Sequence, residues 1–221
     1  MAVKLLKISE NAMYMLENIA CTCYRSKPTE DFKITKNCFE SGHLSIGEHE
    51  DITFEVECSR ACSHQIVRHR TGKFTQQSQR YVNENEFGFV IPQSIKDKEM
   101  TKEYCELMQD INQMYNVLIS AGVPKEDARF VLPNACKTKI IITFDFRSFF
   151  HFLNERLCIR SQWEIRNIAN EMANLAVEAC PEISRWCVPK CEIQSIPYCS
   201  ENKGCGKHKT LNDIVKEEYH G

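Results

Sequence analysis

The densest polar constellation in the 221-residue chain is Arg68-His-Arg-Thr-Gly-Lys-Phe-Thr-Gln-Gln-Ser-Gln-Arg-Tyr81. Two or three guanidiniums and a hydroxyl in so short a span make a site for phosphate oxygens. Arginine offers paired donors to an anion and stays charged at any working pH. Arg68 and Arg70 fall at the end of an expected helix, where its dipole favours cations, and the following turn brings Ser78 and Arg80 toward the same space. From Cys58 to Asn83 there is no acidic residue, although the whole chain has a formal net charge of −2. The neutral total therefore conceals a basic segment. Three readings fit it: an oxyanion site, a solvated basic face, or a nucleic-acid groove in which Phe74 and Tyr81 stack on bases. The lack of an extended basic surface elsewhere weakens the third.

These residues must be positioned by a folded domain. Apolar residues make up 43% of the chain and charged residues 26%, which excludes a disordered, collagenous or simple coiled-coil protein. The length suits one domain. No run reaches the roughly 18 apolar residues of a membrane helix, and Met1 to Glu10 lacks a signal-peptide pattern. No membrane association and a cytoplasmic location are expected. Thirteen cysteines in a chain of this length without an export signal read as free thiols.

Asn11 to Tyr24 carries a helical apolar stripe ended by Ser26-Lys27-Pro28. Asp51 to Cys58 alternates, with Ile52, Phe54, Val56 and Cys58 on one face, as in a half-buried strand. Ser59 suits the N-cap of a helix to about His69, and Phe87 to Ile91 reads as a short strand. A long helix through Tyr104 and Leu118 ends near Gly122. Pro124 opens another helix, with Ala128 and Phe130 inside it and Pro133 at its end. Cys136 to Phe146 reads as a second long strand, Arg147 to Cys158 as a helix, and Ile165 to Ala179 as the last helix. The expectation is a single α+β domain over residues 1–198, with a small, mostly antiparallel sheet flanked by long helices. Residues 199–221 read as a polar, cysteine-containing and mobile tail. Cys187, Cys191, Cys199 and Cys205, with His208 nearby, lack paired C-x₂-C knuckles, so no metal is assigned to them.

Arg68-His69-Arg70, seven residues, then Ser78, completed by Gln79-Arg80-Tyr81, resembles the signature of flavin-dependent thymidylate synthases. Gly42-His43-Leu-Ser45-Ile-Gly-Glu48-His49 resembles the family's GHxSxxEH segment. Ala128-Arg129-Phe-Val-Leu-Pro133 resembles its AR-x-x-LP helix end. Arg147-Ser-Phe-Phe-His151-Phe-Leu-Asn-Glu-Arg156 and Gln162-Trp163-Glu164-Ile165 resemble its C-terminal helix pair. The likeness extends over about residues 8 to 198.

The resemblance implies an enzyme that transfers a methylene group from 5,10-methylenetetrahydrofolate to dUMP and reduces it to the methyl of dTMP. FAD carries electrons supplied by NADPH, and active sites are shared within a homotetramer that binds no nucleic acid. By the same likeness, Gln65, Ile66, Val67, Arg68, Gln76, Gln77, Ser78, Gln79, Arg80, Arg129 and Arg156 bind dUMP. Arg156 is the catalytic residue, opposing charge on an ionised uracil N3. FAD falls to His43, Ser45, Glu48, Arg68, His69, Arg70, Gln76, Asp145, Arg147 and His151. Ser78 reads as a nucleotide ligand, because no base is identifiable to activate it.

The chain departs from the common pattern at several positions. Thr75 and Gln76 stand where Asn and Glu are usual, Asp145 and His151 where Asn is frequent, and Arg160 where His is often found. Rival expectations are a silent nucleotide- or RNA-binding module using the Arg68–Arg80 loop, and an FAD protein acting on another pyrimidine nucleotide.

Overall fold

Alternation along Asp51–Ser59 gives the strand it predicts, with Ile52, Phe54, Val56 and Cys58 fully buried. A computed structural model describes residues 2–220. In chain order the elements are β1 (Ala2–Lys7), α1 (Ala12–Tyr24), α2 (Lys33–Glu40), β2 (Asp51–Ser59), α3 (Arg60–Ile66) and β3 (Lys73–Gln76). There follow α4 (Gln93–Lys96), α5 (Thr101–Ser120), α6 (Lys125–Ala128), β4 (Lys137–Asp145), α7 (Phe146–Arg156), α8 (Trp163–Ala179) and α9 (Leu211–His220). Single 3-10 segments cover Leu44–His49, Arg129–Val131, Pro181–Trp186 and Lys190–Glu192.

The strands form one antiparallel sheet in the order β1-β2-β4-β3, so the domain is α+β as expected. The register of β2 on β4 can be read from their outward side chains. Lys137 pairs with Glu57 at 2.9 Å, Lys139 with Glu55 at 3.3 Å, and Thr53 meets Thr143 at 2.9 Å. Rising numbers on one strand meet falling numbers on the other, and opposite charges face each other, which favours this register.

Two compact units make up the chain. The first holds Glu55–Arg68 and Phe74–Ile141, and its core packs Phe87, Met108 and Cys136 with Tyr104, Ile111 and Leu132. The second holds Val3–Phe54, His69–Lys73 and residues 142–220. Its core is aromatic. Phe54 stacks on Phe149 with centroids 5.5 Å apart, Phe144 on Phe152 at 5.2 Å, and Trp186 meets the edge of Phe39 at 5.1 Å. Such pairs add roughly 0.5–1.5 kcal/mol each beyond the area they bury.

Several expected boundaries shift. Ser59 does cap α3, its Oγ accepting from Cys62 N at 3.0 Å, but the helix ends at Ile66 rather than near His69. His69 and Gly72 close a turn instead, Gly72 N donating to the His69 carbonyl at 2.9 Å. Phe87 to Ile91 is not a strand: among the described residues its ladder contact is a single antiparallel bridge, Phe89 to Cys136. The helix expected from Pro124 to Pro133 stops at Ala128 and tightens into a 3-10 turn.

β1, α2, β3, α4 and α9 are additions to the sequence reading. The α2 region is held by Glu17, whose fully buried carboxylate accepts from Thr29, Ile34 and Thr35. The start of α9 carries a reciprocal cap. Thr210 N donates to Asp213 Oδ2 at 2.9 Å and Asp213 N to Thr210 Oγ1 at 3.2 Å. Among the described residues, no helix is long and apolar enough to cross a membrane.

Candidate active site

The predicted residues fall into two groups, one in each unit. In the first unit, Arg68 lies just past the end of α3, exposed and without a side-chain hydrogen bond or ion pair among the described residues. Arg80 is exposed and pairs with Glu126 at 2.6 Å, its guanidinium also lying over the Tyr81 ring at 5.5 Å. Arg129 Nε donates to the carbonyl of the same Glu126 at 3.0 Å. Glu126, which the sequence reading missed, therefore organises two of the expected nucleotide arginines. Its signal was available: it stands three residues before Arg129 at the opening of the Ala128-Arg129 motif helix.

The Ser78 segment is a turn. Tyr81 N and Val82 N both donate to the Ser78 carbonyl, and Ser78 Oγ accepts from Arg80 N at 3.2 Å. Gln76 sits on β3 with its Nε2 donating to Ser63 Oγ at 2.9 Å and Thr138 Oγ1 at 3.2 Å. A glutamate there has no N–H to give, so the amide makes use of its departure from the family pattern. Gln79 Nε2 lies 3.6 Å from Cys136 Sγ. Gln65 Nε2 reaches the Ala61 carbonyl at 3.5 Å and Gln77 N reaches the Lys139 carbonyl at 2.9 Å. Ile66 is buried and Val67 caps α3, so both serve as packing within this unit.

In the second unit, α7 is the organising element. Asp145 is its N-cap: Oδ1 accepts from Ser148 N at 2.7 Å, and Oδ2 accepts from Ser148 Oγ at 3.0 Å. Asn and Asp cap equally well, so the Asp145 departure keeps the helix start intact. Arg147 follows in the first turn and pairs with Glu48 at 2.5 Å. Gly47 lets the two segments approach, since a Cβ there would lie 3.3 Å from Arg147 N and 3.4 Å from the Phe146 Cβ and the Phe39 ring.

Arg147, His151 and Asn154 follow at i, i+4 and i+7, which puts them on one helix face. With Leu44, Glu48, Thr71, Asp145 and Ser148 they line an open cavity of about 580 Å³. Asn154 and Thr71 were not anticipated, although the helical spacing from Arg147 points to the first. His43 and Ser45 lie at and just inside the start of the 3-10 segment, and both are exposed. Arg70 is exposed in the turn after His69.

Near the C-terminal end of α7, Arg156 Nε donates to His69 Nε2 at 2.9 Å. The His69 ring lies edge-on to Phe152 at 4.9 Å and to His151 at 6.1 Å. Burial, then the Arg156 charge, then His151, depress its pKa to about 4. His69 is therefore neutral at pH 7, with its proton on Nδ1 and the Nε2 lone pair turned to the guanidinium. Arg156 keeps both Nη groups without a hydrogen bond among the described residues. In the first unit, the Cys136 thiol beside Gln79 is a poor nucleophile candidate, since burial, then the charge of Glu84, pushes it up to about 11.

Residues 4–182 match the family model for thymidylate synthase complementing protein. The chain belongs to the flavin-dependent thymidylate synthase family. It is an enzyme family. A member from Thermococcus onnurineus is 45% identical over 180 residues, spanning 75% of this chain and 73% of its own length. One from Geobacter sulfurreducens is 44% identical, spanning 80% and 77%. One from Clostridium tetani is 35% identical and spans 96% of both chains. All three bear the name flavin-dependent thymidylate synthase. Both residue groups fall inside the family match, and the region after residue 182 lies beyond it.

Proposed function

We propose that this chain converts dUMP to dTMP by reductive methylation, with 5,10-methylenetetrahydrofolate as carbon donor and NADPH as reductant. The observation that carries the reading is the Arg156–His69 pair at 2.9 Å, a fixed cation held by a neutral base within a family of flavin-dependent synthases. The donor set of the second unit fits a flavin nucleotide. Its cavity of about 580 Å³ falls in the range of ligand sites, roughly 300–1,000 Å³. Arg147, His151, Thr71 and Ser148 offer it a cation, an imidazole and two hydroxyls. His43, Ser45, Glu48, His69, Arg70 and Asp145 complete the second unit's set of FAD residues. When bound, FAD supplies the electron transfer that no side chain can perform.

The protein's own task is to position and to stabilise charge. Arg68, Arg80 and Arg129 hold the dUMP phosphate, and Ser78 adds a hydroxyl; Gln65, Gln76, Gln77 and Gln79 line the nucleotide, with Ile66 and Val67 packing behind them. Arg156 faces the uracil ring and opposes negative charge at N3 as carbon–carbon bond formation proceeds. A guanidinium already oriented needs no reorganisation at that moment. His69 fixes its plane by accepting a hydrogen bond from Nε, much as an outer partner orients a metal-bound histidine. A protonated His69 would repel Arg156, and its low pKa prevents this. No thiolate is required at any step.

Active sites are shared among subunits of a cytoplasmic homotetramer, so the two residue groups of one chain need not serve the same site. The domain spans residues 1–198, with residues 199–221 as an appendage. The relatives reported above are named as synthases, which leaves a silent RNA-binding module without support.

The test is a visible spectrum of the protein after incubation with FAD and removal of free cofactor, repeated with dUMP. Retained flavin whose bands shift on adding dUMP is the expected result. A protein that retains no flavin in either condition overturns the reading. Subunit sharing is tested by reassembling mixed oligomers of Arg156→Ala and Arg80→Ala chains, one variant in each residue group. Recovered dTMP formation is expected, and none would count against sharing.

A further inference from the structure

A small cavity outside the α7 face is bounded by five soft donors: Cys158, Cys191, Cys199, Cys205 and His208. Its volume is about 30 Å³, room for an ion or one water and little else. Cys158 follows the end of α7, Cys191 belongs to the 3-10 turn Lys190–Glu192, and the other three lie in the segment leading to α9. The sequence grouping of tail cysteines included Cys187 and left out Cys158. The structure exchanges them, because Cys187 is half-buried, lies near Cys180 and does not line this cavity.

The geometry points to a structural site for a zinc-class divalent cation, with Cys191 Sγ and His208 as its core ligands and two thiolates from Cys158, Cys199 and Cys205 completing a tetrahedron. One sulfur of Cys191, one carboxylate oxygen of Glu192 and one ring nitrogen of His208 lie within 4.8 Å of one another. Donors on one tetrahedral zinc stand roughly 3.5–4 Å apart; Cys191 and His208 are near that spacing, and the two further thiols, which stand outside this close group, must turn in from the cavity wall to complete the site.

Glu192 is the orienting group. It takes His208 Nε2 at 3.3 Å, and a carboxylate on one ring nitrogen directs the other toward a metal. Three thiolates and an imidazole around Zn²⁺ carry a net charge of −1. Lys207, bound to Glu192, and Lys190 and Arg160, bound to Glu201 at 2.7 and 3.2 Å, surround the cavity with compensating cations.

Four separate chain segments meet here, their lining residues partly or fully exposed and Leu157, Ile159 and Pro189 among them. Cys199 is the buried exception, its backbone N donating to the Lys209 carbonyl at 2.8 Å, in the bridge to Thr210. A metal crosslink adds to the Arg160–Glu201 and Lys190–Glu201 pairs that hold this polar, lysine-rich segment in place. Loops closed by such a clip lose entropy in the unfolded chain, as with a disulfide.

The full-length protein, reconstituted with zinc sulfate under reducing conditions and desalted, is expected to retain about one zinc per chain by elemental analysis. Cys191→Ser and His208→Ala should each lower that content by about fivefold or more. Cys187→Ser should leave it unchanged. Wild-type protein that retains under about a tenth of a zinc per chain overturns the site, as does undiminished zinc in Cys191→Ser. Should the ligand variants fail to fold, the wild type loaded with Co²⁺ decides. Thiolate-to-cobalt charge-transfer absorption, read against the cobalt-free protein, supports the site, and its absence overturns it.

Discussion

Arg156 and His69, 87 residues apart in the chain, are joined by a 2.9 Å hydrogen bond from the guanidinium Nε to the imidazole Nε2. The histidine is the acceptor, so it must be neutral. The bond therefore couples the folded structure, and the proposed uracil site, to the protonation of one ring.

A pH dependence follows directly. His69 titrates near 4 when folded and near its ordinary value of about 6.5 when unfolded. Between those values the unfolded chain binds the proton and the folded chain does not, so stability falls as pH drops from about 6.5 to about 4. His69→Gln can still accept from Arg156 and cannot titrate. Its melting temperature, measured against pH, should decline less steeply through that window. An unchanged slope would mean that His69 is not the linked group.

Arg156→Ala should preserve the fold and lower the rate of dTMP formation by about 100- to 1,000-fold, as removal of a preorganised charge stabiliser does elsewhere. Far-UV circular dichroism separates this from unfolding. Turnover within a few-fold of wild type would remove Arg156 from its role.

Arg80 is occupied by Glu126 at 2.6 Å, both side chains being about half exposed at 55% and 46%. Exposed pairs contribute at most about 1 kcal/mol, so a phosphate can displace the carboxylate at small cost. Glu126→Gln removes the competitor, and the KM for dUMP should fall by up to about fivefold. A rise in KM would instead assign Glu126 to positioning.

The Arg147–Glu48 pair is likewise exposed, at 55% and 50%. Arg147→Ala should lower the melting temperature by no more than about 2–4 °C. Flavin retention, measured by absorbance after desalting, should fall much more sharply. A large stability loss with intact flavin binding would reverse the assignment.

Asp145 separates capping from ligand contact. Asp145→Asn keeps the cap and should be neutral in thermal unfolding, whereas Asp145→Ala should cost about 1 kcal/mol. Flavin affinity measured on the Asn variant then reports on the carboxylate charge alone.

Local physics made much of this legible in the chain. Period-two alternation specified β2, because one face of a strand must be buried. Ser59 stands where a helix begins, and a short polar side chain stops the backbone there in a predictable way. The Arg68–Ser78 spacing and the α7 sequence identified the family and most candidate site residues. Less legible were elements whose stability comes from distant partners. α2 depends on the Glu17 carboxylate, and α3 gives way to a turn at His69.

The pairings were decided by tertiary structure alone. Arg156 selects His69, Arg80 selects Glu126, and the cavity near α9 takes Cys158 in place of Cys187. A sequence records which side chains are present and how each segment prefers to bend. Which of them share a low-dielectric space depends on packing between segments far apart in the chain. That packing gives His69 its low pKa and Arg156 its fixed orientation.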